Sequence, residues 1–94
     1  MKKIIDRLLY DTETAEEIAS DEYWDGRNRD RNGRNTILYK TKKGNYFAFH
    51  KTRWQGELDR IEPLSKEVAM KLYESLEEHE VGYEEAFGVA PEEA

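Results

Sequence analysis

The 94-residue sequence contains no cysteine, only two prolines, and no long apolar run. Without cysteine there is no disulfide framework, no zinc ribbon and no thiol nucleophile, and a reducing cytoplasm is the expected compartment. The opening Met1-Lys2-Lys3-Ile4-Ile5 is basic, but Asp6 and Arg7 interrupt the apolar residues at once. A secretory leader needs an unbroken apolar stretch of roughly 7–15 residues, so none is expected here. Nothing approaches the roughly 20 apolar residues of a membrane span, and no membrane partner is expected. Histidine is also scarce. His50 and His79 stand alone on a strand and near a helix end, whereas metal sites generally need three or four ligands. No metal and no cofactor is expected. Serines 20, 65 and 75 sit in no Gly-x-Ser-x-Gly elbow, and the one Lys-Gly segment opens no helix that could cradle a phosphate. Carboxylates are plentiful, but Asp11 with Glu13 is weak evidence for acid–base chemistry, and a chain this small has little room for a water-excluding site. The expectation is a protein that is not an enzyme.

What is present is charge, unevenly placed. The net charge is −6. Residues 1–24 carry −4, residues 25–53 carry +7 and residues 54–94 carry −9. Such a basic middle between acidic ends can neutralise itself within one fold, or can offer a surface of one sign to a partner. Opposite charge on the middle and the tail would also permit a salt-sensitive homodimer.

A chain of this length builds one core and buries about two-thirds of its unfolded surface. One compact domain over 1–88 with a frayed tail over 89–94 is expected. Its clearest local signal is the stretch Ile37 to Phe49, two β-prone runs around Lys42-Lys43-Gly44. The glycine suits a three-residue hairpin turn closed by a positive φ. In that register Thr41 faces Asn45, Tyr39 faces Phe47 and Ile37 faces Phe49, so one face gathers four large side chains and reads as the core. The other face, with Leu38, Lys40, Tyr46, Ala48 and His50, is mixed.

The second signal is a helix over 65–78. Pro63 precedes it, Ser65 fits the N-cap and Glu67 suits the first turn. Val68, Ala69, Leu72, Tyr73 and Leu76 recur at helical spacing. A helical turn over Tyr83–Phe87, stopped by Gly88, would pin the tail through Tyr83 and Phe87. In the N-terminal quarter Ile4, Ile5, Leu8 and Leu9 fit a helical turn and a short strand pair about equally, and a strand is expected near Glu17 to Tyr23. The fold class is therefore α+β: a small antiparallel sheet centred on the 36–50 hairpin, packed against one amphipathic helix, with a short C-terminal helical turn.

The best candidate for function is the polar stretch from Trp24 to Asn35. It carries Arg27, Arg29, Arg31 and Arg34, and basic residues continue through Lys40, Lys42, Lys43, Lys51 and Arg53. Trp24, Tyr46 and Trp54 are interleaved with them. Cations among aromatics suit backbone phosphates and unstacked bases. Arginine grips carboxylates just as well, so an acidic protein, or this domain's own acidic helix, would fit the same loop. A sequence pI near 5 weighs against a dedicated nucleic-acid binder. The opposite surface is the acidic third, where Glu77 and Glu78 belong to a row of carboxylates that could imitate phosphates. Such rows are more commonly plain solvated faces.

Four segments taken together resemble a known group: Tyr10-Asp11-Thr12-Glu13-Thr14-Ala15, Thr41-Lys42-Lys43-Gly44-Asn45-Tyr46-Phe47, Pro63-Leu64-Ser65, and Phe87-Gly88. The group comprises short proteins of bacterial, prophage and plasmid genomes. The resemblance implies a mobile-element accessory protein, a setting in which small inhibitors of host defence such as anti-CRISPR proteins are frequent. It implies a bacterial protein or ribonucleoprotein complex as partner, and it carries no site residues with it. The functional expectation is a non-catalytic protein that acts stoichiometrically on a host complex. The alternative is a nucleic-acid-contacting accessory protein that uses the arginine loop.

Overall fold

The computed structural model describes residues 1–21, 34–52 and 56–93. It is an α+β protein in three layers: a two-stranded hairpin, a five-stranded antiparallel sheet, and two helices on the far side. The hairpin is β1 (Lys2–Ile5) with β2 (Leu8–Asp11). The main sheet uses β3 (Glu16–Ser20), β4 (Arg34–Lys40), β5 (Tyr46–Thr52), β6 (Arg60–Leu64) and β7 (Glu78–His79), in the order β6-β5-β4-β3-β7. The helices are α1 (Lys66–Ser75) and α2 (Tyr83–Phe87).

The central hairpin has the expected register, Ile37 opposite Phe49 and Tyr39 opposite Phe47. Its turn closes with the Thr41 amide donating to the Asn45 carbonyl at 2.7 Å and the Gly44 amide donating to Thr41 at 2.9 Å. Gly44 has φ +88°, a conformation that only glycine adopts without strain. At the N-terminus the strand pair is what forms. Asp6 and Arg7 both take positive φ, 51° and 69°, the primed two-residue turn that matches strand twist.

Both faces of the sheet are covered, and the helix lies on the face that the sequence makes mixed. Ile37, Tyr39 and Phe47 pack instead with Tyr10 and Ile61, beneath the β1–β2 hairpin. Phe47 stacks on Tyr39 at 5.1 Å and meets Tyr10 edge-on at 5.4 Å. On the other face Leu38 and Tyr46 join Ile18, Ala69, Tyr73 and Phe87 in the larger core. The reason is steric and electrostatic together. Leu38 and Ala48 leave a shallow floor for a helix, while Lys40 and Tyr46 supply edges whose polar tips have a destination. The Lys40 ammonium and the Tyr46 hydroxyl both donate to the Ala86 carbonyl, at 3.0 and 2.9 Å. A lysine counted among the basic candidates is thus a clasp on α2.

Helix α1 starts as expected, with the Ser65 hydroxyl accepting from the Val68 amide at 3.2 Å. It ends at Ser75 rather than 78, because Leu76 turns extended and drops into the core. The chain then supplies β7, and Glu77 and Glu78 leave the helical face. Val68, placed on the apolar stripe by its spacing, is half exposed; Ala69, Tyr73 and Leu76 do the packing. A bulge between Glu17 and Ala19 turns both Ile18 and Ala19 toward the helices. The Ile18 carbonyl receives the Glu80 and Val81 amides. At α2 the expected clasp is present: Tyr83 lies against Phe87 at 5.2 Å, and Gly88 caps the turn at φ +74°.

Burial pushes the Tyr46 and Tyr73 phenols above their ordinary value. A raised folded-state value favours the neutral phenol, so its contribution to stability is complete below about pH 10 and is lost as pH rises through the folded values. Ultraviolet titration, compared with Tyr46→Phe and Tyr73→Phe variants, should show both phenols ionising above the ordinary value, together with the onset of alkaline unfolding. Ionisation of these two phenols at the ordinary value in a folded chain would refute this.

Candidate functional site

Four strands meet at one end of the main sheet: β3 finishes there, β4 starts, β5 finishes and β6 starts. Side chains pin that end. The Asp21 carboxylate accepts from the Thr36 amide at 2.9 Å and from the Asn35 side-chain amide at 3.2 Å. Asp21 thus ties the chain entering 22–33 to the chain leaving it. Asp59 does the same for the next connection, accepting from the Thr52 amide at 2.9 Å, while the Thr52 hydroxyl donates to Glu57 at 2.6 Å. Arg34 and Thr52 are cross-strand partners, so the two connections have adjacent bases.

Below them runs a polar strip across three strands. Glu62 is an acceptor only, so His50 Nε2–H donates to it at 2.9 Å. On its other side the His50 Nδ1 lies 3.4 Å from the Thr36 hydroxyl. Arg60 approaches the same Glu62 oxygen at 3.9 Å. Between the strip and residues 57–60 lies a cleft of about 420 Å³, bordered by Thr36, His50, Lys51, Glu57, Leu58 and Arg60. It is lined by cations, the Glu57 carboxylate, hydroxyls and one exposed leucine, a mixture suited to a polar macromolecular contact. The Thr36 hydroxyl, the imidazole and the carboxylate stand in line, but the hydroxyl contact is long and the His50–Glu62 pair is open to solvent. The strip serves to hold β4, β5 and β6 in register.

The predicted site residues separate. Trp24, Arg27, Arg29, Arg31 and Trp54, with Arg53, lie outside the described residues. Arg34 opens β4 at the pinned end. Lys42 and Lys43 sit in the turn at the opposite end, roughly 20 Å away at 3.4 Å per strand residue. They do not lie beside Arg34. Glu77 and Glu78 are exposed, and Glu78 pairs with Ser20 on the far edge of the sheet, beside the pinned end. His50, Glu62 and Arg60 were missed because Pro63 reads as a strand breaker. It is tolerated in β6 because that strand is an edge, where a missing amide costs no ladder bond. Among the described residues no group of three or more His, Asp or Glu could hold a metal, and no helix is long and apolar enough to cross a membrane.

No family model matches the chain, and neither a curated protein nor a solved structure matches it.

Proposed function

We propose that this chain is a small non-catalytic binding protein that acts stoichiometrically on a macromolecular complex through the pinned end of its main sheet. The observation that carries this reading is the pairing of Arg34 with Thr52. It roots in one place the two connections whose sequences hold the densest arginines and both tryptophans. Rigid anchors beneath long polar connections are the usual arrangement for binding loops. The setting, a phage or other mobile element whose product inhibits a bacterial defence system such as CRISPR-Cas in the cytoplasm, is supported by the resemblance of the sequence alone. A second reading, direct contact with nucleic acid, is favoured by the alternation of those arginines with Trp24 and Trp54.

Affinity capture from a bacterial lysate, with mass spectrometry, tests the proposal. A partner retained in equimolar amount by the parent chain should be lost from an Arg27→Ala, Arg29→Ala, Arg31→Ala variant. Equal capture by that variant overturns the assignment of the surface. Band retardation of free DNA or RNA at low salt, falling steeply as salt rises, would select the second reading.

A further inference from the structure

The opposite end of the molecule carries a separate surface. Of the seven large apolar side chains that are exposed among the described residues, four belong to the N-terminal hairpin: Met1, Ile4, Leu8 and Leu9. Ile4 and Leu9 are cross-strand partners on the outer face, 72% and 56% exposed. Met1 and Leu8 alternate to the other face, so the outer apolar contact surface is the Ile4–Leu9 pair. Beside them a groove of about 280 Å³ runs between β2 and the 41–45 turn, bordered by Arg7, Leu9, Tyr10, Lys42, Lys43 and Asn45. Its charged side chains are cationic. The Asp11 carboxylate at the far end of β2 is already engaged by the Glu13 amide at 2.9 Å. Arg7 stands at this groove in a positive-φ conformation that costs a residue with a side chain of order 1 kcal/mol.

The backbone adds a direction. The Thr12 amide donates to the Met1 carbonyl at 3.0 Å, and this sets the alternation of the antiparallel ladder. Pairs 3–10 and 5–8 then exchange hydrogen bonds, while Ile4 and Leu9 direct their amides and carbonyls away from each other. The β1–β2 sheet has two strands only. The Leu9 amide and carbonyl therefore face outward on a free edge.

We infer that the β2 edge and its cationic groove take an extended, acidic segment of a partner protein as an added strand. Residues of such a strand alternate between faces. One set would extend the Ile4–Leu9 row and should be apolar; the other would face Lys42 and Lys43 and should be acidic. Neither requirement involves the pinned end of the main sheet, so this contact stands or falls independently of the proposed function.

The test is a titration of the ¹⁵N-labelled full chain with a short peptide of alternating valine and glutamate, followed by amide shifts. Saturable shifts confined to Leu8–Asp11 and Thr41–Asn45 are expected. A valine–lysine peptide should produce none. Lys42→Glu with Lys43→Glu should weaken binding by about tenfold or more through charge reversal. Leu9→Pro should abolish it, because proline removes the outward amide without breaking a hairpin bond. If Leu9→Pro does not fold, the charge reversal at the exposed turn remains decisive. The inference is overturned by an absence of shifts at millimolar peptide, by equal binding of the lysine peptide, or by unchanged affinity in the variants. Shifts that grow with protein concentration alone, or that appear only with anionic phosphatidylglycerol vesicles, would assign the face to a second copy or to lipid and also overturn it.

Discussion

Phe47→Ala is expected to cost about 3–5 kcal/mol, a large share of the roughly 5–15 kcal/mol that holds a domain folded. Phe47 is fully buried and holds two rings, Tyr39 by stacking and Tyr10 edge-on. Tyr10 belongs to the N-terminal hairpin, so Phe47 is the point at which that layer is fastened to the main sheet. The void left by truncation lies between two layers and cannot be filled by one strand relaxing. Chemical denaturation read by circular dichroism gives the value. A loss under about 1 kcal/mol would mean that the hairpin packs without this ring, contrary to the buried cluster.

Leu38→Ala should cost about 2–5 kcal/mol from the other face. A sheet with one core face would place Leu38 in partial contact with water and predict a small effect. In the structure Leu38 is fully buried against the helices, in the cluster that includes Ile18, Ala69 and Tyr73. The two substitutions therefore ask the same question of opposite layers. Large losses from both establish that the sheet is buried on both sides; a loss from Phe47 alone would return the helices to a peripheral role.

Those two residues also mark where the sequence was informative. Ile37, Tyr39, Phe47 and Phe49 alternate with turn residues at the right spacing, so the hairpin and its register were legible from period and turn chemistry alone. The cap at Ser65 and the stop at Gly88 were legible for the same reason, since each depends on neighbours in the chain. Which layer covers which face was not legible. That choice depends on Lys40 and Tyr46 finding the Ala86 carbonyl forty or more residues away, a pairing with no local signature. Strand β6 was hidden by Pro63 and β7 by its two-residue length. The candidate site divided in the same way. Its arginines and tryptophans stand out by composition, whereas the Asp21, His50 and Glu62 contacts that organise the sheet end arise only when β3, β4, β5 and β6 are laid side by side.

Asp21 and Asp59 have an evolutionary consequence. Each closes a connection at its base with bonds that involve only strand ends and the aspartate. These strand ends are thereby held by their own contacts, and doubling the length of such a connection costs only about 0.6 kcal/mol in closure entropy. None of those bonds uses a side chain of residues 22–33 or 53–55. A lineage under pressure to follow a changing target could therefore alter its recognition sequence and keep the bonds that hold these strand ends together.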